Sequence, residues 1–208
     1  MLKRFLKIFG PPPAIKTSQD FKVFLGSEAA YLAQRSTTEY CRARAGIHWQ
    51  KLFGEPEFLS ALERCRWEAF AVVLTDMVLV AEGRLRTAAG GDSLALADGL
   101  LRVYETILRD HRLPKHRPGW ADAIGDLSVR LGRAQMAAPL APDEIASVSG
   151  VKVYDLLPIH PTVRSHDRLV IFNHLRFGML GFLQSFDRRV DTGAVAGALV
   201  AEGRNAAA

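Results

Sequence analysis

Only two cysteines occur in the 208 residues, Cys41 and Cys65, and they share no metal or redox spacing. Stability therefore does not rest on a disulfide framework, and a reducing compartment, the cytoplasm, is the expected setting. Nowhere is the chain apolar for the roughly 20 residues that a bilayer-spanning helix needs. The six histidines form no H-x-x-x-H pair and no E-x-x-H, which argues against a zincin or a ferritin-like di-iron site. An internal repeat, a glycine-rich phosphate loop, a nucleophile elbow and a paired-carboxylate spacing are equally missing. No metal and no cofactor is expected. Cys41 lies seven residues before His48, which makes no triad signature, and a buried structural thiol is the simpler reading.

Acidic residues are missing from the first 19 positions, which hold Lys3, Arg4, Lys7 and Lys16. Of the net charge of +5, +4 falls there, so the other 189 residues carry only +1. A body so near neutrality lacks the broad basic footprint of a nucleic-acid binder. Within the opening segment, Leu2, Phe5, Leu6 and Phe9 fall on one face of a helix and Lys3, Arg4 and Lys7 on the other, before Gly10-Pro-Pro-Pro13 ends it. This is the pattern of an interfacial anchor on an anionic membrane surface. A secretory signal does not fit, because Lys7 interrupts the apolar run and no small-residue cleavage site follows. Burying four apolar side chains contributes up to about 1.5–3 kcal/mol each, and three cations about 1 kcal/mol each. Ordering nine residues costs about 1–2 kcal/mol apiece, so attachment by this helix alone is weak and reversible. The competing reading packs the same face onto the protein's own body.

Apolar residues are plentiful elsewhere, and they recur at helical spacing. Residues 69–81 hold one charge, Asp76, in thirteen positions, so this segment is expected to be surrounded by protein as the centre of a helix over residues 56–89. Gly54 is a candidate N-cap, Pro56 suits the first turn, and Gly90-Gly91 stop the helix. Leu59, Leu62, Arg66, Phe70, Val73, Met77, Val80 and Arg84 mark its spacing. Before it, Phe21-Lys-Val-Phe-Leu25 is an apolar patch, and Ser27 opens a helix with a break predicted in the polar run 34–39. Tyr40, Ile47, Trp49, Leu52 and Phe53 mark its better-packed half. After it come stripes at Leu94, Ala97, Leu101, Tyr104 and Leu108, and at Trp120, Ile124, Leu127, Leu131 and Ala134. A long buried helix over residues 166–189 has Leu169, Phe172, Leu175, Met179, Phe182 and Phe186 as its core, with Gly178 and Gly181 permitting close approach. The fold class is therefore all-α: a single-domain bundle of about six helices over residues 14–202, preceded by the amphipathic segment and proline linker 1–13. A tail, 203–208, is expected to fray.

Candidate sites follow from charges inside apolar surroundings. Asp76 requires a proton, a cation or an arginine, and Arg35, Arg42, Arg44 and Arg66 are the nearest offered. Asn173, His174 and Arg176 sit within the second apolar helix. A polar pocket of Arg42, Arg66, Asp76, His174 and Arg176 would suit a small acidic or lipid-like ligand; an ion pair setting helix register is the simpler account. Leu113-Pro-Lys-His-Arg-Pro-Gly119 is a basic loop that reads as a phosphate contact or a solvated connector. Residues 143–151 look like the first half of a helix-turn-helix with Gly150 in the turn, although Pro158 leaves little room for a recognition helix.

The preferred function is a non-catalytic α-helical adaptor or assembly factor at the cytoplasmic face of the membrane, attached by residues 1–9 and holding a protein partner in a groove between helices. An enzyme or binding protein for a small ligand is the alternative, and a DNA-binding regulator the third. The basic N-terminus and Leu113-Pro-Lys115 resemble bacterial relatives of respiratory bc1-complex assembly chaperones over a small part of the chain, a likeness that implies an assembly role and assigns no membership.

Overall fold

The computed structural model describes residues 14–207. The predicted anchor residues Leu2, Lys3, Arg4, Phe5, Leu6, Lys7 and Phe9 lie outside the described residues. Helix α1 (Ser18–Gln34) begins before the expected Ser27, because Thr17 is the N-cap and its hydroxyl oxygen accepts the Asp20 N–H at 3.0 Å. The apolar patch is thus helical, and Phe21, Phe24 and Leu25 point inward. The break foreseen at residues 34–39 is a π-helical turn, Arg35–Glu39. There the Ser36 and Thr37 hydroxyls donate to the carbonyls of Leu32 and Ala33, at 2.8 and 2.7 Å, and compete with the backbone ladder.

Three short elements follow: α2 (Tyr40–Ala45), a 3-10 turn (Gly46–His48) and α3 (Trp49–Leu52). Gly46 adopts φ of +54°, which ends α2 and turns Ile47 out to 90% exposure. The expected tight packing of this stretch is therefore confined to Tyr40, Leu52 and Phe53.

Helix α4 (Pro56–Ala89) runs for 34 residues, about 51 Å at 1.5 Å per residue. Its N-cap is the extended Glu55 rather than Gly54, and it stops at Gly90 with φ of +58°. Helix α5 (Ser93–Arg109) follows, with Asp92 at its N-cap. Next come α6 (Ala121–Ala134), α7 (Pro142–Leu156), the single turn α8 (Pro161–Arg164), α9 (Arg168–Arg189) and α10 (Thr192–Ala207). Among the described residues seven helices have fourteen residues or more, and the β structure is one isolated parallel bridge between Ile15 and Val190. The chain is an all-α helical bundle, and no described helix is long and apolar enough to cross a membrane.

The bundle is built around α4, which touches α1, α5, α6, α7, α9 and α10. Its middle is buried on every side, Val72 and Leu79 being the partial exceptions. Helices α5 and α10 pack backbone to backbone, because a Cβ on Gly99 or on Gly203 would collide with the carbonyl of Leu199 or of Ala95. The tail expected to fray from residue 203 instead continues α10, and Arg204 pairs with Asp92 at 2.6 Å. Three leucines expected in the core, Leu59, Leu94 and Leu169, are exposed. Each lies in the first turn of its helix, where the periodicity continues past the edge of the neighbouring helices. Gly150 lies inside the continuous α7 with its α-carbon facing the Phe172 ring, so the helix-turn-helix reading has no turn.

Candidate functional site

The two buried acids of α4 face α6 and α7, and they are held in different ways. Glu82 is 1% exposed and receives three hydrogen bonds of 2.7 Å, two from Arg86 and one from Gln135 Nε2. Arg86 also donates to the carbonyls of Ala134 and Ala137, both at 2.7 Å. Ala134 is the last residue of α6, whose terminal carbonyls have no partner within the helix. One guanidinium therefore neutralises a buried carboxylate and closes the negative end of a neighbouring helix. Glu82 in turn keeps the guanidinium firmly protonated.

Asp76 is fully buried. Arg130 Nη1 stands 3.3 Å from its Oδ1, and its Oδ2 has no hydrogen-bond partner among the described residues. Burial pushes the carboxyl up to about 7, with the Ser149 hydroxyl and Arg130 only partly opposing the rise. A cleft between α4, α6 and α7 is lined by Leu79, Glu82, Arg86, Arg130, Arg133 and Ile145, with a volume of about 260 Å³. That is below the range of roughly 300–1,000 Å³ usual for ligand pockets.

The five residues predicted to form a polar pocket are not brought together. Asp76 pairs with Arg130, and none of the four predicted arginines reaches it. Arg42 stacks over Trp49 and Phe53, at 5.0 and 5.9 Å from their ring centres. Arg66 reaches Gln34 Oε1 at 3.5 Å on an exposed rim. His174 is half-buried against Arg35, and its Nε2 has no partner among the described residues. Burial, then Arg35, holds its pKa below the usual imidazole range. Arg176 pairs with Asp143 at 2.9 Å on the surface. Arg35 binds Glu39, and Arg44 binds Asp167 and the Val163 carbonyl. Arg130 was the partner that sequence reasoning missed. Its signal was positional: it lies three residues after Leu127 and four before Ala134, on the edge of the buried stripe of α6.

The basic loop at 113–119 is consumed internally. Arg117 donates to both oxygens of Glu68 at 2.6 Å and to Asp122 at 2.6 Å, and it lies 4.4 Å from the Trp120 ring centre. His116 adds a contact of 2.8 Å to Glu68. Burial alone would raise the Glu68 carboxyl, but Arg117 and His116 together hold it below its ordinary value. Both cysteine thiols are buried and pushed up to about 12 by that burial, far from thiolate reactivity at neutral pH. Among the described residues no three His, Cys, Asp or Glu side chains gather into a metal-sized cluster.

What the interior closes, the surface of α9 leaves open. Leu169, Val170, Phe177 and Leu180 are exposed and fall within one arc of about 100° on the helix, which exposed Asn173 and Gln184 share, with Arg176 and Arg188 at its edges. No protein-family model matches the chain, and neither the curated proteins nor the solved structures include a significant match.

Proposed function

We propose that the protein is a non-catalytic α-helical adaptor or assembly factor that acts at a membrane surface through a protein partner. The observation that carries this reading is the contrast between interior and surface. Both buried carboxylates of α4 are ion-paired, Asp76 to Arg130 and Glu82 to Arg86, and the cleft that Glu82 lines is small. Meanwhile α9 presents an exposed apolar arc flanked by cations, of the kind that marks an interaction surface. The basic amphipathic residues 2–9 supply weak attachment, and a second contact through α9 would make it durable.

The test is flotation of the full chain with vesicles of phosphatidylglycerol and phosphatidylcholine. Wild type floats, and a full-length variant carrying Phe5→Asp and Phe9→Asp stays in solution. Equal flotation of the two overturns the membrane role of residues 2–9.

A further inference from the structure

A groove runs between α1 and α9, with a volume of about 440 Å³. Glu28, Tyr31, His174, Phe177, Gly181 and Ser185 are among its walls. Two aromatic side chains stand open to solvent along it, Tyr31 at 60% and Phe177 at 71% exposure. The helices are antiparallel here: Phe21 meets Phe186, Phe24 stacks on Phe182, and the Gly178 α-carbon presses against Leu32. The end of the groove marked by Glu28 and Ser185 therefore faces the side of the helix pair where α1 begins and α9 ends, about ten residues of α1 away.

Ile15 sits on that side. Its N–H donates to the Arg189 carbonyl at 2.7 Å, and its own carbonyl accepts from the Asp191 N–H at 2.9 Å. The pairing of Ile15 with Val190 is parallel, which fixes Ile15 beside the end of α9. Residues 10–14 include three prolines, and at about 3.1 Å per residue an extended segment of that length would reach about 15 Å. Along α9, that is the distance from Val190 back to about Gly181 at 1.5 Å per residue. Eight further residues in helical form span about 12 Å, the remaining distance to His174.

We propose that this groove is the docking site of the chain's own residues 2–9. Leu2, Phe5, Leu6 and Phe9 would cover Tyr31 and Phe177, and Lys7 would come level with Glu28. Glu28 is a half-buried carboxylate whose burial raises its pKa, Arg189 offsetting this only in part, so an added cation is favourable there, away from Arg35, which lines the groove beside His174. The apolar face that would enter a membrane is thereby stored against the protein, and lipid competes for it. Release to lipid rests on the membrane-surface reading above; docking in the groove does not.

Cysteine pairing in the full chain tests this, since Cys41 and Cys65 are buried. Under mild oxidation, Phe5→Cys combined with Phe177→Cys forms an intrachain disulfide. Its yield is roughly tenfold above that of Phe5→Cys combined with Met136→Cys, because docking raises the local thiol concentration. Met136 is exposed and outside the groove. Equal yields, or a product found only between chains, overturn docking. Adding the phosphatidylglycerol vesicles lowers the intrachain yield several-fold. An unchanged yield while the protein still floats overturns release. A disulfide that forms in a protein that never floats removes the membrane reading and leaves docking standing.

Discussion

Arg86 binds both carboxylate oxygens of Glu82 and, with the same guanidinium, the carbonyls of Ala134 and Ala137. The pair therefore joins the C-terminal part of α4 to the end of α6, and its two members should fail unequally. Arg86→Leu leaves an uncompensated buried carboxylate and should cost about 3–5 kcal/mol. Glu82→Met together with Arg86→Leu removes both charges and should recover at least about 1 kcal/mol of that loss. Urea unfolding of wild type, both single variants and the double variant measures the coupling; additive losses would contradict the arrangement.

Asp76 makes stability depend on pH in an unusual direction. Its folded carboxyl titrates near 7, against an ordinary value of 3.8, so between those limits the folded state holds a proton that the unfolded state has released. Through this group stability falls as pH rises across that window, by about 1.4 kcal/mol per pH unit at most, and is level above it. Asp76→Asn cannot titrate, so its unfolding midpoint should fall less than that of wild type between pH 4.5 and 7. Parallel pH profiles for the two proteins would remove the claim.

Helices α5 and α10 meet with no room for a side chain at Gly99. A Cβ there strikes the Leu199 backbone, which cannot move as a side-chain tip can. Gly99→Ala should cost about 1–3 kcal/mol through overpacking. Gly197→Ala, on α10 where an added Cβ meets nothing within 4 Å, should instead gain about 0.5–1 kcal/mol of helix propensity. Thermal unfolding of the two variants should move in opposite directions; a shared sign would refute the packing.

The Glu68–Arg117 contact ties the 113–119 loop to α4. Arg117→Met removes the donors to Glu68, Asp122 and the Gly119 carbonyl together. Local opening then exposes the backbone, and trypsin should cleave after Lys115 several-fold faster than in wild type. An unchanged cleavage rate would show that the loop is held by other contacts.

Much of the bundle was legible in the chain. Residues 69–81 are apolar all round, and an all-round apolar helix has nowhere to be except the centre. The α6 stripe at Leu127 and Leu131 is buried as its spacing required. The polar run at 34–39 became a π-helical turn because Ser36 and Thr37 carry hydroxyls that bond to the carbonyls four residues earlier. Helix ends were less legible. Leu59, Leu94 and Leu169 continue a correct periodicity into a turn that no neighbour covers.

The sequence alone determined that the fold is helical, that α4 lies at its centre, and that Asp76 would be a buried charge in need of a partner. These follow from periodicity and local composition, which act within a few turns of one helix. Only the tertiary structure decided that the partner is Arg130, 54 residues away, and that Arg42, Arg66, His174 and Arg176 serve separate places. Whether two side chains meet depends on the rotation and crossing of whole helices. Those are set by the packing of all their neighbours at once, and no short stretch of sequence contains that information.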